Sequence, residues 1–248
     1  MDYVLLLEFI TGYLGEKEFN MPKRRSAKAR EREILREQSR TQVTFEFLTE
    51  RQKQAWETYQ QNDVLFLAGP AGTGKTFLAM AFAVRDILEK QRKHIILTRP
   101  IVEAGESLGF LPGDFTKKVS PYMVPLYDCY HALCPGQTMK NKIIEQSFDV
   151  APLAYLRGRT FNESVCIFDE AQNATLTQLK LFLSRFGTNS KIIVTGDPQQ
   201  SDLKQKSGLA ATIEKLTGLA GVGFVNFSRE DIVRHPLVSA ILERLEEC

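Results

Sequence analysis

Residues 69–76 read G-P-A-G-T-G-K-T. The spacing of glycines, lysine and hydroxyl residue matches a loop that wraps phosphate. Gly69, Gly72 and Gly74 let the backbone curl so that successive N–H groups point inward as an anion nest. Pro70, Ala71 and Thr73 fill the same cradle. Lys75 is then placed to reach the β- and γ-phosphates of a nucleoside triphosphate, and Thr76 to coordinate Mg²⁺. ATP and Mg²⁺ are the expected cofactors. A purely structural glycine turn is the alternative, but an apolar run precedes the loop and a helical pattern opens inside it, which is the context phosphate binding requires.

Such a loop needs a carboxylate on a neighbouring strand. The stretch "VCIFDEAQ" supplies Asp169, expected to hold Mg²⁺, and Glu170, expected to act as general base toward water. A third element, "IVTGDPQQSD", leaves its strand at Gly196 and Asp197. An amide here, Gln199 or Gln200, can touch the γ-phosphate or the attacking water, and Gln200 is the catalytic candidate. A plain Gly-Asp-Pro turn is the competing reading.

The scaffold for these groups is legible in the apolar pattern. Strands are expected at 64–68 and in "HIILTRP", "SVCIFDE", "KIIVTGD" and "GFVNFS". Helices are expected in "TERQKQAWETYQ", with a capping box from Thr49 to Gln52, in "KTFLAMAFAVRDILEK", "TLTQLKLFLSRF", "GLAATIEKLTG" and "EDIVRHPLVSAILERLEE". The stretch from 100 to about 160 reads as loop-rich. Continuous apolar strands separated by helices indicate an α/β fold whose parallel sheet is covered on both faces.

"GPAGTGKT", "DEAQ" and "TGDPQQ" look like motifs of superfamily-one helicases. More closely, "LTRPIVEAGESLGFLPGDFTKKVSPYMVPLYD", "APLAYLRGRT" and "VRHPLV" resemble the PhoH-like family, over residues 45 to 247. That resemblance implies a P-loop NTPase with a RecA-like core, ATP hydrolysis and RNA-directed work. It implies that Gln52 reads the adenine edge, with Gln54 the competing candidate. It implies that Arg99 contacts the nucleic-acid backbone. Arg157 and Arg159 in "YLRGRT" are nucleic-acid candidates, and Arg234 in "IVRHP" is the candidate arginine finger, with Arg157 and Arg159 its alternates; a surface cation without a role is the competing reading for each. Glu103 and Glu106 belong to the family signature without an evident physical role.

The 248 residues carry a net charge of +2, 43% hydrophobic and 25% charged residues, ordinary values for a globular protein. Two parts are expected: 1–44, an extension with a basic arm, and 45–248, a single ATPase domain. The arm, "PKRRSAKAREREILREQSR", reads either as a solvated tail or as a phosphate-backbone contact. Nothing in the extension resembles the family, and Met21 is an alternative start. Cys129, His131 and Cys134 hint at a metal clip, but reduced thiols are the expected state. No apolar run suits a membrane span, "YVLLLEFI" does not read as a signal peptide, and a cytoplasmic protein is expected.

The length suggests one RecA-like sheet where helicases have two. A homo-oligomer, a hexameric ring sharing its site between neighbours, is the expected remedy, with single-stranded nucleic acid, RNA over DNA, as partner. A nucleotide-dependent binding module and a small-molecule kinase are the alternative functions.

Overall fold

In the computed structural model the described residues are 46–100, 115–133, 147–151, 153–200, 207–233 and 244. The chain separates into two units, Met1–Ser39 and Arg40–Cys248, and all the described residues lie in the second.

Six strands form one sheet: β1 (Val64–Ala68), β2 (His94–Thr98), β3 (Phe148–Val150), β4 (Ser164–Phe168), β5 (Lys191–Gly196) and β6 (Val222–Asn226). Their order is β3-β2-β4-β5-β1-β6, and every pairing is parallel. The helices are α1 (Glu50–Gln61), α2 (Lys75–Leu88), α3 (Phe115–Leu133), α4 (Leu176–Leu183) and α5 (Gly208–Leu216). The expected parallel α/β architecture is the observed one.

Alternation along the strands divides the core in two. Leu65, Leu67, Ile95, Leu97, Val165, Ile167 and Ile193 meet the apolar face of α2 and residues of α1 and α3. Phe66, Ile96, Cys166, Phe168, Ile192 and Val194 pack beneath α4 and α5. Both sides of the central strands are thus dry, which is why they read as unbroken apolar runs.

The sequence reading differs from the structure in the middle of the chain. The stretch expected to be loop-rich contains α3 and β3. Pro121 and Pro125 lie inside α3, and proline removes a helix donor, so the segment does not read as helical. Strand β3 is a three-residue, half-buried edge strand, too short to show a period. The final expected helix begins instead with a single 3₁₀ turn, Arg229–Asp231, and its later part lies outside the described residues.

The capping box expected at Thr49 forms by half. Thr49 accepts from the Gln52 N–H, but the Gln52 carboxamide caps the Leu48 N–H, at 2.8 Å. Reciprocal boxes occur at Thr175 with Gln178 and at Ser228 with Asp231.

At the amino ends of the strands a buried polar knot joins α1, α2 and β5. The Lys191 ammonium donates to the carbonyls of Tyr59, Gln60 and Asn62 at the end of α1. It satisfies oxygens that the helix terminus leaves open. Tyr59 in turn donates to Asp86 of α2, which pairs with Arg92. Burial lowers the Lys191 pKa and raises that of Tyr59.

Candidate active site

The carboxyl ends of β1, β5, β4 and β2 stand side by side, and each delivers one part of the site. After β1, the backbone turns through Gly69 (φ 139°) into the loop. A Cβ at Gly69 would stand 2.4 Å from the carbonyl oxygen of Phe227, so the close approach of the segment after β6 demands glycine. Gly74, left-handed at φ 82°, caps the start of α2. The fourteen-residue α2 directs its amino end, the positive end of its dipole, into the loop. Lys75 Nζ lies across the loop, donating to the carbonyls of Gly69 and Pro70 at 2.7 Å each. Thr73 braces it with a hydroxyl bond to Pro70.

From the end of β4, Asp169 reaches the first turn of α2. It is 1% exposed. Its Oδ1 accepts from Thr76 at 2.7 Å and from the Thr195 hydroxyl of β5. Its Oδ2 accepts from Arg99 Nη2 at 2.8 Å. Thr76 and Asp169 therefore present hard oxygen donors side by side at the mouth of the phosphate loop, the donor set that Mg²⁺ takes. Glu170 follows in a left-handed backbone conformation (φ 55°, ψ 42°), which turns its carboxylate out of the strand line. That carboxylate is partly exposed and accepts from Arg99 at 3.3 Å and from Gln172 Nε2 at 2.5 Å.

The sequence candidates fall into three groups. Residues 69–76, Asp169 and Glu170 converge as expected. Gln52 also belongs here: it is buried under the loop and donates to the Thr73 carbonyl at 3.4 Å. Its oxygen is engaged by Leu48, so in this state both ends of the amide hold protein.

Arg99, expected at the nucleic-acid backbone, stands beside the two acids. Its guanidinium lies on Asp169 and Glu170, only 16% exposed, so the contacts seen are with the two acids and not with an open backbone-binding surface. Gln200 sits on an exposed turn, its N–H bonded to the Asp197 carbonyl. The amide that donates to Glu170 is Gln172, which sequence reasoning passed over. Its "DEAQ" position was visible, but its partner, the N–H of Asp197, lies 25 residues on.

The remaining arginines stand apart. Arg159 pairs with Asp149 at 2.6 Å. It lines a groove of about 350 Å³ with His94, Asn162 and Ser164, at the sheet end opposite the phosphate loop. Arg157 is exposed. Arg234, Glu103 and Glu106 lie outside the described residues, as do Cys134 and the basic arm. Cys129 is a half-buried free thiol, and no cluster of three metal-ligating side chains occurs among the described residues. No described helix is long and apolar enough to cross a membrane.

Although Arg234 is remote in sequence from the loop, the chain just before it is not remote in space. The Val233 N–H donates to the Gly72 carbonyl at 3.0 Å.

A glycine cradle at a helix amino end, with a hydroxyl and an acid from the adjoining strands, defines a P-loop NTPase. Within that class the chain belongs to the PhoH family, whose model, described as PhoH-like protein, matches residues 44–246. A PhoH-like protein of Bacillus subtilis is 50% identical over 191 residues, covering 76% of this chain and 60% of that protein. One of Synechocystis is 47% identical over 222 residues, covering 89% and 65%. The chain thus spans about three fifths of the length of these relatives. In fold it is similar to the large terminase of a thermophilic bacteriophage. The TM-score is 0.52 at 10% identity, covering 80% of this chain and 50% of that one.

Proposed function

We propose that the chain binds Mg²⁺–ATP and hydrolyses it, and that turnover is coupled to single-stranded nucleic acid, RNA in preference to DNA. The observation that carries the first part is the contact of Thr76 with Asp169 at the mouth of the cradle, with Glu170 turned outward beside it. Bound Mg²⁺ would supply positive charge to the phosphate oxygens. The backbone N–H groups of the loop and the amino end of α2 hold those phosphates. Lys75 exchanges its two carbonyl partners for phosphate oxygens. Glu170 accepts a proton from water on the open side of the site. ATP is supported further by the fold relative, the bacteriophage terminase, which was solved in complex with ADP.

The nucleic-acid part rests on the exposed Arg157 and the arginine-rich stretch before residue 41. A homo-oligomer, a hexameric ring whose neighbour places Arg234 at the γ-phosphate, and a cytoplasmic location belong to the same proposal. The contact of Arg99 with both acids favours a second reading, a slow nucleotide-dependent binding module in which that pairing persists.

The deciding experiment is ATP turnover with and without single-stranded RNA or DNA. Strong stimulation supports coupling, turnover without stimulation supports the binding module, and dependence on a metabolite indicates a kinase. No Mg²⁺-dependent turnover under any of these conditions removes the hydrolase.

A further inference from the structure

We propose that Gln172 is a positioning residue for Glu170, and that it ties the base to the end of β5. This rests on the reading of Glu170 as general base. Three observations carry it.

The first is that one carboxamide spans two elements. Its Nε2 donates to Glu170 Oε2 at 2.5 Å, and its Oε1 accepts from the backbone N–H of Asp197 at 3.1 Å. The amide orientation is therefore fixed by the protein, since only the oxygen can accept from a backbone N–H and only the nitrogen can donate to a carboxylate. At 7% exposed, Gln172 has little water to turn toward.

The second is the backbone of Glu170. A non-glycine residue in the left-handed region costs free energy and persists where surrounding contacts over-determine it. Here the outward side chain is held from both sides, by Arg99 on Oε1 and by Gln172 on Oε2.

The third is Gly196, the last residue of β5. A Cβ there would stand 2.8 Å from Gln172 Oε1, 3.1 Å from its backbone nitrogen and 2.7 Å from Leu209 Cδ2. The strand end is bare where the amide lies against it. Gly196 is not left-handed, so this glycine answers to space and not to backbone conformation.

Together these make a mechanical link. The turn at residues 197–200 follows Gly196 directly, and a shift of that turn is passed through the amide to the Glu170 carboxylate. A base displaced by about 1 Å loses roughly 100-fold in rate, while phosphate and metal contacts, made by other residues, are untouched.

The test uses Q172M, close in shape but without the two polar contacts, and G196A, which crowds the amide and removes no polar group. Turnover of Mg²⁺–ATP and equilibrium binding of a fluorescent ATP analogue are measured on both. The expected result is a kcat lowered by about 10- to 100-fold with affinity within about twofold of wild type. A merely structural role would lower affinity and melting temperature with kcat.

A double-mutant cycle makes the link specific: in an E170Q background, Q172M should leave the residual rate unchanged, because the group it positions is gone. An unchanged kcat in Q172M, or fully additive losses in the cycle, overturns the proposal. Failure of the underlying reading looks different: there E170Q itself turns over at the wild-type rate.

Discussion

Single residues separate holding the nucleotide from spending it. Lys75 bridges two loop carbonyls and has no part in the sheet, so K75A should leave the fold intact and abolish binding of a fluorescent ATP analogue. E170Q should retain that binding and lose turnover, because it removes the proposed base and spares Thr76 and Asp169. The amino ends of the strands allow a pH prediction. Tyr59 is buried with its hydroxyl on Asp86, so its pKa is raised above the usual 10.0. The folded state keeps a proton that the unfolded chain releases above about pH 10, so stability held at lower pH is lost as pH climbs toward the raised value. Y59F should be less stable at neutral pH by roughly 1–3 kcal/mol, and the gap should narrow in urea titrations run above pH 10. The loop, Asp169 and Glu170 were legible because motif spacing fixes their neighbours. Gln172 and the inward turn of Arg99 were not, because each is defined by a contact across strands.

Among the elements, the phosphate loop is closely constrained by its surroundings. G69A meets both a left-handed backbone and the Phe227 carbonyl, and should lower both melting temperature and nucleotide affinity. G218A offers the contrast. It is also left-handed (φ 85°), but nothing lies within 4 Å of an added Cβ, so the cost should stay near the roughly 1–2 kcal/mol of the backbone conformation. A loss for G69A no greater than for G218A, in parallel denaturant titrations, would remove the contact with Phe227 as a constraint. Strands buried on both faces announced themselves as apolar runs, and α2 by its position after the loop. Helix α3 was hidden by Pro121 and Pro125, and β3 by its brevity at the sheet edge, where pairing with β2 and not its own composition makes it a strand.

For the whole molecule the question is whether Arg234 serves a phosphate, and in which chain. Mixing K75A and R234A proteins, each inactive alone, should restore part of the turnover if the finger comes from a neighbour, since some interfaces then join an intact loop to an intact arginine. Absence of recovery, with R234A still impaired, would assign the residue to its own chain, in keeping with the bond from Val233 to Gly72. That bond, and the seat of Phe227 against Gly69, also bear on how the protein is made. Strand β1 is written well before both of its partners, β5 and β6. On a ribosome the cradle sequence emerges long before its walls exist. A nascent chain halted ahead of residue 222 would carry the full phosphate motif without the strand that flanks it, so a nucleotide can steady only those chains whose synthesis has passed β6.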